Sequence, residues 1–350
     1  MKGINVLSLF DGISCGQVAL KRAGIKIDKY FASEIDEYAI QVTQKNHPNT
    51  IQLGSVTEIK GNKLPKIDLL IGGSPCQGFS FAGKQLNFND ERSKLFFEFV
   101  RLLRECKPKY FLLENVKMKK EYQDIISKYL GVEPIEINSN LVSAQDRKRL
   151  YWTNIPNITQ PKDKGILLKS ILENLPFREL KPFCFGYYGK KKRIDFLRDV
   201  NSEKAYTLTT SRSHTNQYYL NTNRNKMRFL SLIEAERLQT LDDNYTKGIP
   251  DGKRFFCIGN GWTVDVIAHL FKSLKKSPYF TSATPTFVSQ KEFNKDLEVS
   301  ATPTPKCITQ NTNEAQNKDS VLYTSLNPDI MRNFCLRKNL KSTETMEVRR

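Results

Sequence analysis

A cysteine that follows an apolar run is the first candidate for chemistry in this chain. Cys76 comes shortly after the run from Ile67 to Ile71, which two glycines close, and this pattern is typical of an inner strand of a parallel sheet. Pro75 lacks a backbone donor and fixes its own φ, so the strand cannot continue. Parallel sheets hold ligands at the carboxyl ends of their strands, and we therefore expect Cys76 at the mouth of a site. The alternative is a small buried hydrophobe, which is common for a free cysteine.

Three charged residues further along the chain lie at the ends of predicted strands. Glu114 lies near the end of the apolar run that begins at Tyr110, so it should emerge beside Cys76 if the two strands are parallel neighbours. Arg147 and Arg149 stand two residues apart before another β-type run, and alternate residues of an extended segment point the same way. A thiol, an acid and two cations would then share one edge of the sheet.

The amino-terminal segment has the pattern of a cofactor-binding turn. A strand predicted over 3–10 leads through Asp11 and Gly12 into a helix predicted over 15–23, whose first backbone amides can bind polar groups of a nucleotide-like cofactor. Glu34 ends the second predicted strand about twenty residues beyond the turn, where a carboxylate can accept hydrogen bonds from both ribose hydroxyls. Alternatively, Glu34 caps a helix over 35–44. The dinucleotide pattern GxGxxG is absent, which argues against a nicotinamide cofactor.

In chain order, these pieces resemble the DNA (cytosine-5) methyltransferase family, from about residue 3 to about residue 275. The matching motifs are Phe10-Asp11-Gly12, Ser74-Pro75-Cys76-Gln77, Glu114-Asn115-Val116, Gln145-x-Arg147-x-Arg149 and Gly259-Asn260-Gly261-Trp262. The resemblance implies an α/β fold, namely the doubly wound, Rossmann-like fold of S-adenosylmethionine-dependent methyltransferases with a small target-recognition region. It also implies a stand-alone enzyme of the prokaryotic or phage type.

The resemblance assigns roles to single residues. It implies S-adenosylmethionine as the cofactor and double-stranded DNA as the substrate, with the target cytosine flipped out of the helix. The residues expected to act on the base are Cys76, Glu114, Arg147 and Arg149. The residues expected to hold the cofactor are Phe10, Asp11, Gly12, Ile13, Glu34, Ile35, Ser55, Asn260 and Trp262. No metal ion is expected, since the chain has only three histidines, far apart, and no CxxC pair.

The implied reaction explains the need for a cysteine. C5 of cytosine is too poor a nucleophile to take a methyl group, so the enzyme must first add a nucleophile at C6. A thiolate attacks well and leaves again easily, and we expect Cys76 to form this covalent adduct. Glu114 would hold the N3 and N4 edge of the base, and Arg149 with Arg147 would bind the O2 edge and a nearby phosphate.

The composition favours a soluble protein with a polyanionic partner. A net charge of +18 over 350 residues is more than solubility needs. The chain has no run of about eighteen apolar residues, and its amino terminus lacks a basic segment followed by an apolar stretch, so we expect neither a membrane span nor a signal peptide. We expect a cytoplasmic monomer. A cognate restriction enzyme would suit such a protein as a partner, although no residue indicates one.

The pattern divides the chain into four regions. Residues 1–155 should form the catalytic and cofactor-binding part, and 228–277 the carboxy-terminal helices that complete it. Residues 156–227, where periodicity fades and basic and aromatic residues interleave, should form the target-recognition region. Residues 278–350 are polar, contain Ser-Ala-Thr-Pro-Thr twice and should be a disordered tail.

Three further elements are predicted. A third strand should run over 51–56, and an amphipathic helix over 228–241. A last helix over 259–274 should bring Asn260 and Trp262 back to the cofactor pocket, although plain core packing would also account for the tryptophan.

Two other functions stay open at this stage. A tRNA cytosine would need the same chemistry, so the motifs only partly exclude a tRNA cytosine-5 methyltransferase. A non-catalytic DNA-binding homologue would have lost cofactor binding. Against that second reading, the residues expected to act on the base are all present.

Ser55 and Ser14 are the two departures from the family pattern. Ser14 replaces a glycine, and Ser55 replaces the aspartate that holds the adenine amino group. A serine hydroxyl can make that bond without charge assistance, so weaker cofactor binding is expected.

Replacing Ser55 with aspartate should therefore tighten cofactor binding. We expect the dissociation constant for S-adenosylmethionine, measured by calorimetric titration, to fall by roughly fivefold, since charge assistance adds about 1 kcal/mol to a hydrogen bond. Ser55→Asn, which adds an acceptor without charge, is the control. An unchanged or higher dissociation constant for Ser55→Asp would contradict the prediction.

Overall fold

The computed structural model describes residues 3–74, 91–180, 187–188, 190–192, 194, 197–201, 203–210, 218–221, 223 and 225–275. Cys76 lies outside the described residues, and so does the expected tail at 278–350. The placement of the cysteine and the disorder of the tail therefore stay predictions.

Seven strands form one mixed sheet. They are β1 (Ile4–Leu9), β2 (Ile27–Ser33), β3 (Ile51–Gln52), β4 (Leu69–Gly72), β5 (Tyr110–Val116), β6 (Ile135–Asn138) and β7 (Lys148–Thr153). Their order is β3-β2-β1-β4-β5-β7-β6; β1 to β5 run parallel, and β7 runs antiparallel to both β5 and β6. The order reverses between β1 and β4, and such a switch point opens a crevice at the carboxyl ends of the strands. This doubly wound α/β architecture confirms the expected fold class.

Helices cover both faces of the sheet. They are α1 (Cys15–Arg22), α2 (Glu37–Asn46), α3 (Glu91–Cys106), α4 (Lys120–Leu130), α5 (Leu232–Leu238), α6 (Asp251–Asn260) and α7 (Val264–Lys275). One face of the sheet packs against α1, α2 and α7, and the other packs against α3 and α4. Because α7 lies directly on α1, the end of the described chain completes the layer beside the first strand. Within the described ranges, no helix is long and apolar enough to cross a membrane.

The central strands are buried on both of their faces. In β4, Leu69 and Ile71 pack towards α1 and α7, while Leu70 packs towards α3. In β1, Val6 and Leu7 divide between the two faces in the same way. A strand that is covered on both sides reads as an unbroken apolar run, and its charged neighbours are confined to its ends.

Among the described residues, two small sheets lie in the region expected for target recognition. Their strands are β8 (Arg178–Glu179), β9 (Tyr187–Tyr188), β10 (Lys191–Lys192), β11 (Arg198–Asp199), β12 (Tyr218–Leu220) and β13 (Lys226–Phe229). The four-stranded sheet has the order β11-β12-β13-β8, and β9 pairs with β10. The expected boundary between 227 and 228 falls inside β13, so the strand-rich part extends at least to Phe229.

The helix predicted over 228–241 begins later than its apolar pattern suggests. Arg228 lies in β13, and α5 starts at Leu232 because Ser231 caps it. The Ser231 hydroxyl accepts the backbone amide of Glu234, and the Glu234 carboxylate accepts the backbone amide of Ser231, which is a capping box.

Two other predicted elements are shorter than expected. The helix predicted over 259–274 is divided, since α6 ends at Asn260 and Gly261 adopts an extended conformation before α7 begins. The Gly-Asn-Gly-Trp motif therefore spans the last two residues of α6 and the break before α7. The strand predicted over 51–56 is reduced to β3, because Ser55 caps a 3-10 turn that starts at Val56.

A buried ion pair joins the four-stranded sheet to α5. Arg228 donates to both carboxylate oxygens of Glu234, and the side chains are 5% and 0% exposed. The same carboxylate also accepts the backbone amides of Ser231 and Glu173. Removal of one partner from a buried pair leaves the other charge uncompensated, so this pair is a sensitive point of the fold.

Glu234→Ala should destabilise the protein by about 3–5 kcal/mol, because it leaves Arg228 buried without its carboxylate and removes a helix cap. Urea denaturation should show this loss in the free energy of unfolding. Glu179→Ala is the matched control, since it removes an exposed carboxylate that faces Lys226 of the same sheet and should cost less than about 0.5 kcal/mol. Similar losses in both variants would contradict the prediction.

Candidate active site

A cavity of about 640 Å³ opens at the carboxyl edge of the sheet, at the switch point between β1 and β4. It brings together most of the residues that the sequence singles out. Those that line it are Phe10, Asp11, Gly12, Glu34, Ile35, Ser55, Glu114, Arg147, Arg149, Asn260 and Trp262. Ile13 does not line it and is buried in the core instead. Ser74, the last described residue before Cys76, lines the cavity as well.

The turn after β1 has an unusual backbone. Phe10, Gly12 and Ser14 have φ values of 56°, 58° and 57°, in the left-handed region. The Gly12 amide donates to Glu34 Oε2 at 2.8 Å, so the turn is tied to the end of β2. Ser14 tolerates a conformation that favours glycine because its hydroxyl bonds locally: it donates to Asp11 and accepts from Gln17.

Glu34 is held by three backbone amides. Its Oε2 accepts from Gly12, and its Oε1 accepts from Ile35 and Asp36 at 2.8 and 2.9 Å. A carboxylate offers about four acceptor positions, so one position on Oε2 stays available for a ligand. The helix-cap role belongs to Asp36, whose Oδ1 accepts from the amides of Tyr38 and Ala39.

Ser55 faces the cavity from a cap position. Its hydroxyl bonds to the Thr57 hydroxyl at 2.8 Å and accepts the Thr57 amide at 3.4 Å, the second being a long contact. The Ser55 hydroxyl is therefore already bonded to Thr57, and its expected contact with the adenine amino group stays a prediction.

The Glu114 carboxylate binds two donors from different elements. Arg149 Nε lies 2.9 Å from its Oε1, and Trp262 Nε1 donates to its Oε2 at 3.1 Å. The two donors come from β7 and from the turn before α7, so the carboxylate has a fixed orientation. Gly73 allows this arrangement, since a Cβ there would lie 3.0 Å from Trp262 Nε1 and 3.2 Å from Glu114 Oε2. Asn115 donates to the hydroxyl of Ser74 at 3.2 Å and thereby fixes the chain just before Cys76.

The two arginines line the same cavity, as expected for alternate residues, but they have different partners. Arg149 pairs with Glu114. Arg147 is only 3% exposed and donates to the carbonyl oxygens of Leu208, Gly259 and Gly261 at 3.0, 3.1 and 3.1 Å. Arg147 therefore binds the backbone of two distant segments, and its expected contact with the base or a phosphate stays a prediction.

Burial perturbs the Asp11 carboxyl in the cavity wall. Burial raises its pKa to about 6, against the opposing effect of hydrogen bonds from Ser14 and Tyr30. The Tyr30 hydroxyl donates to Asp11 Oδ1 at 2.7 Å, and the Ser14 hydroxyl donates to Oδ2. At neutral pH the Asp11 carboxyl is still mostly ionised, but its burial makes the charged form costlier in the folded protein than in the unfolded chain.

Cys15, Phe256 and Cys257 are among the cavity-lining residues that the sequence reasoning missed. Burial raises the pKa of both thiols to about 12, so neither is ionised near neutral pH and neither is suited to act as a nucleophile. Phe256 is 41% exposed and Ile35 is 77% exposed, so both present apolar surface at the cavity. No local signal distinguishes Phe256, because only the course of α6 turns it towards this wall.

Comparison with known proteins identifies relatives over most of the described chain. A family model described as C-5 cytosine-specific DNA methylase matches residues 4–157 and 119–276. The orphan methyltransferase M.Rho11sI of Bacillus phage rho11s is 44% identical over 284 residues, which are 75% of this chain and 54% of that protein. The orphan methyltransferase M.SPRI of Bacillus phage SPR is 31% identical over 267 residues, 70% of this chain and 58% of that protein. The chain thus spans about half the length of these relatives.

Solved structures share the fold at low sequence identity. The Entamoeba histolytica methyltransferase EhMeth superposes with a TM-score of 0.64 at 20% identity, over 80% of this chain and 100% of that chain. The S. pombe Dnmt2 methyltransferase superposes with a TM-score of 0.58 at 16% identity, over 79% of this chain and 100% of that chain. At these identities, the likeness shows the fold alone.

Asp11→Asn should make the cofactor-free protein more stable at pH 8 and change it little at pH 4. A carboxyl whose pKa is raised from 3.8 to about 6 stabilises the folded state fully below pH 3.8, and that contribution is lost as pH rises through 6. Asparagine is neutral throughout and can still bond to Tyr30 and Ser14. At pH 8, urea denaturation should show a free energy of unfolding roughly 1–3 kcal/mol higher for Asp11→Asn than for the wild type.

The control for this prediction is Asp28→Asn, which removes an exposed carboxylate at the start of β2. Its effect should vary little between pH 4 and pH 8. A stability difference for Asp11→Asn that does not grow with pH, or that has the opposite sign, would show that Asp11 is not the group responsible.

Proposed function

Because the chain belongs to the C-5 cytosine-specific DNA methylase family, we propose that it transfers a methyl group from S-adenosylmethionine to C5 of a flipped-out cytosine in double-stranded DNA. The observation that carries this proposal is the fixed Glu114 carboxylate. It lies in one cavity with the turn after β1 and with Ser74, which leads to Cys76. This reaction needs an oriented acid, a turn that can bind the cofactor and a cysteine at the same site. One sheet edge carries Glu114, the turn after β1 and Ser74, which is two residues before Cys76.

The cavity fits the proposed cofactor. The acceptor position left on Glu34 suits one ribose hydroxyl, rather than the two expected from the sequence. Gly12 has open space where a Cβ would stand, so a ligand can approach the backbone of the turn. Phe10, Ile35 and Phe256 supply apolar surface for an adenine. When bound, S-adenosylmethionine supplies a methyl group on a positively charged sulfur.

The protein groups would act on the base as follows. The Cys76 thiolate forms a bond to C6, which places an electron pair at C5. C5 then takes the methyl group and afterwards loses its proton to water. The C5–H electron pair restores the C5–C6 double bond, and the C6–sulfur bond breaks to release the thiolate. Glu114 would bind the N3 and N4 edge in the orientation that Arg149 and Trp262 impose, and Arg149 would reach the O2 edge.

Base flipping requires a surface that grips the duplex around the site, because C6 cannot be reached inside the helix. We propose that the strand-rich part from β8 to β13, together with the basic residues between its strands, forms this target-recognition region. The net charge supports a nucleic-acid partner, because the expected tail at 278–350 contains ten basic and eight acidic residues and so accounts for only +2 of the +18.

The decisive experiment is covalent trapping. Incubation with S-adenosylmethionine and a duplex rich in 5-fluorocytosine should give a protein–DNA band in denaturing electrophoresis, because fluorine at C5 cannot leave as a proton does. The band should vanish in Cys76→Ala, and Cys76→Ser should lower methyl transfer at least about a thousandfold while DNA binding stays intact. Cys106→Ala, a thiol on α3 that does not line the cavity, is the matched control and should keep the band.

Other outcomes point to the two alternative functions. Methylation of tRNA without a band on duplex DNA would assign the same chemistry to tRNA. Absence of heat in a titration with S-adenosylmethionine, together with retained DNA binding, would indicate a non-catalytic DNA-binding homologue. An active Cys76→Ser variant would remove Cys76 from the mechanism.

A further inference from the structure

A buried polar network lies between the cavity and the strand-rich part of the chain. Its centre is Arg147, whose guanidinium joins two backbone segments that are far apart in sequence. One is the segment 207–210, reached through the carbonyl of Leu208. The other is the turn 259–261, which consists of the last two residues of α6 and Gly261 and is reached through the carbonyls of Gly259 and Gly261. A single side chain therefore binds both segments at once.

The segment 207–210 is fastened by the residues around Arg147 as well. Leu208 donates its amide to Gln145 Oε1 at 2.7 Å, and the Thr207 hydroxyl donates to the carbonyl of Asp146 at 2.6 Å. Three consecutive residues before β7 thus hold two consecutive residues of this segment. These two hydrogen bonds connect the segment to the two residues that precede Arg147.

The segment also lies directly on the turn 259–261. A Cβ added at Gly259 would be 2.5 Å from the carbonyl oxygen of Thr209 and 2.9 Å from the amide nitrogen of Thr210. Two backbones are therefore in contact with no side chain between them to absorb a shift. Gln239 holds the other side of the turn by donating to the carbonyls of Ile258 and Gly261, both at 2.9 Å.

The two segments serve different parts of the molecule. The turn 259–261 lines the cavity proposed for the cofactor. The segment 207–210 leads in sequence to Ser211-Arg212-Ser213-His214, a polar and basic stretch expected to contact nucleic acid, and then to β12 and β13. Arg147 thus stands where the cofactor wall and the recognition region meet.

We propose that Arg147 is a positioning residue that couples cofactor binding to DNA binding, by holding the segment 207–210 against the turn 259–261. The inference rests on the proposed function and adds to it a route between the two ligands. A ligand that orders the turn also orders the segment, so the second ligand has less left to order. Coupling between two binding sites is reciprocal, so DNA must strengthen cofactor binding by the factor by which the cofactor strengthens DNA binding.

Calorimetric titration with S-adenosylhomocysteine, in the absence and in the presence of excess plasmid DNA, measures this factor. For the wild-type protein, we expect DNA to lower the dissociation constant at least about fivefold, the lower end of typical couplings. We call the dissociation constant without DNA divided by that with DNA the coupling ratio. Arg147→Lys keeps the charge but cannot reach three carbonyls, so its coupling ratio should fall to within about twofold of one. Gly259→Ala should have the same effect, because its Cβ forces the segment away from the turn.

Arg237→Lys is the matched control. Arg237 also donates to a backbone carbonyl, that of Ile171, and pairs with Asp243, but it does not line the cavity. The coupling ratio of Arg237→Lys should equal that of the wild type. Thermal unfolding should show that all three variants are folded. A merely structural Arg147 would lower stability and leave the ratio unchanged.

Two results would overturn the inference: a wild-type ratio near one, or a folded Arg147→Lys that keeps the wild-type ratio. Methyl transfer to the plasmid DNA, measured with a radioactive methyl group in the same preparation, reports on the proposed function separately. Methylation with no coupling would reject only the role given to Arg147, whereas coupling without methylation would keep that role and reject the reaction.

Discussion

Burial of the central sheet on both faces is the constraint on which the rest of the structure depends. β1 and β4 are covered by α1 and α7 on one side and by α3 on the other, so charged groups find no place along them. The acids and cations that act as ligands must lie where the strands end. Because five strands run parallel and their order reverses between β1 and β4, those ends meet at one crevice. The position of the cavity therefore follows from the packing of apolar side chains along β1 and β4, which leaves only the strand ends for charged groups.

The two acids Glu34 and Glu114 at this edge are each held by a donor from another element. Glu34 is fixed by amides of the turn after β1 and of its own strand end, and Glu114 by Arg149 and Trp262. A buried carboxylate without donors would be costly, so stability and orientation have the same origin here. The cavity is therefore organised before any ligand binds, which is the condition for strong electrostatic assistance.

The two arginines of the Gln-x-Arg-x-Arg motif illustrate how one motif can serve two purposes. Arg149 belongs to the cavity through Glu114, whereas Arg147 joins the segment 207–210 to the turn 259–261. The guanidinium suits both tasks because it offers five donors in a fixed plane. Residues 259–262 thus line the cavity, hold Glu114 through Trp262 and contact the segment 207–210.

The sequence alone determined the fold class, the order of the parallel strands along the chain and most of the cavity lining. These features follow from local signals, namely apolar runs of strand length and the polar residue that ends each run. Only the tertiary structure decided that Arg147 binds backbone carbonyls, that Trp262 donates to Glu114, that Ile13 is core and that Phe256 faces the cavity. Each of these depends on a partner that lies far away in sequence. A local pattern carries no information about which distant groups will be adjacent once the chain is packed.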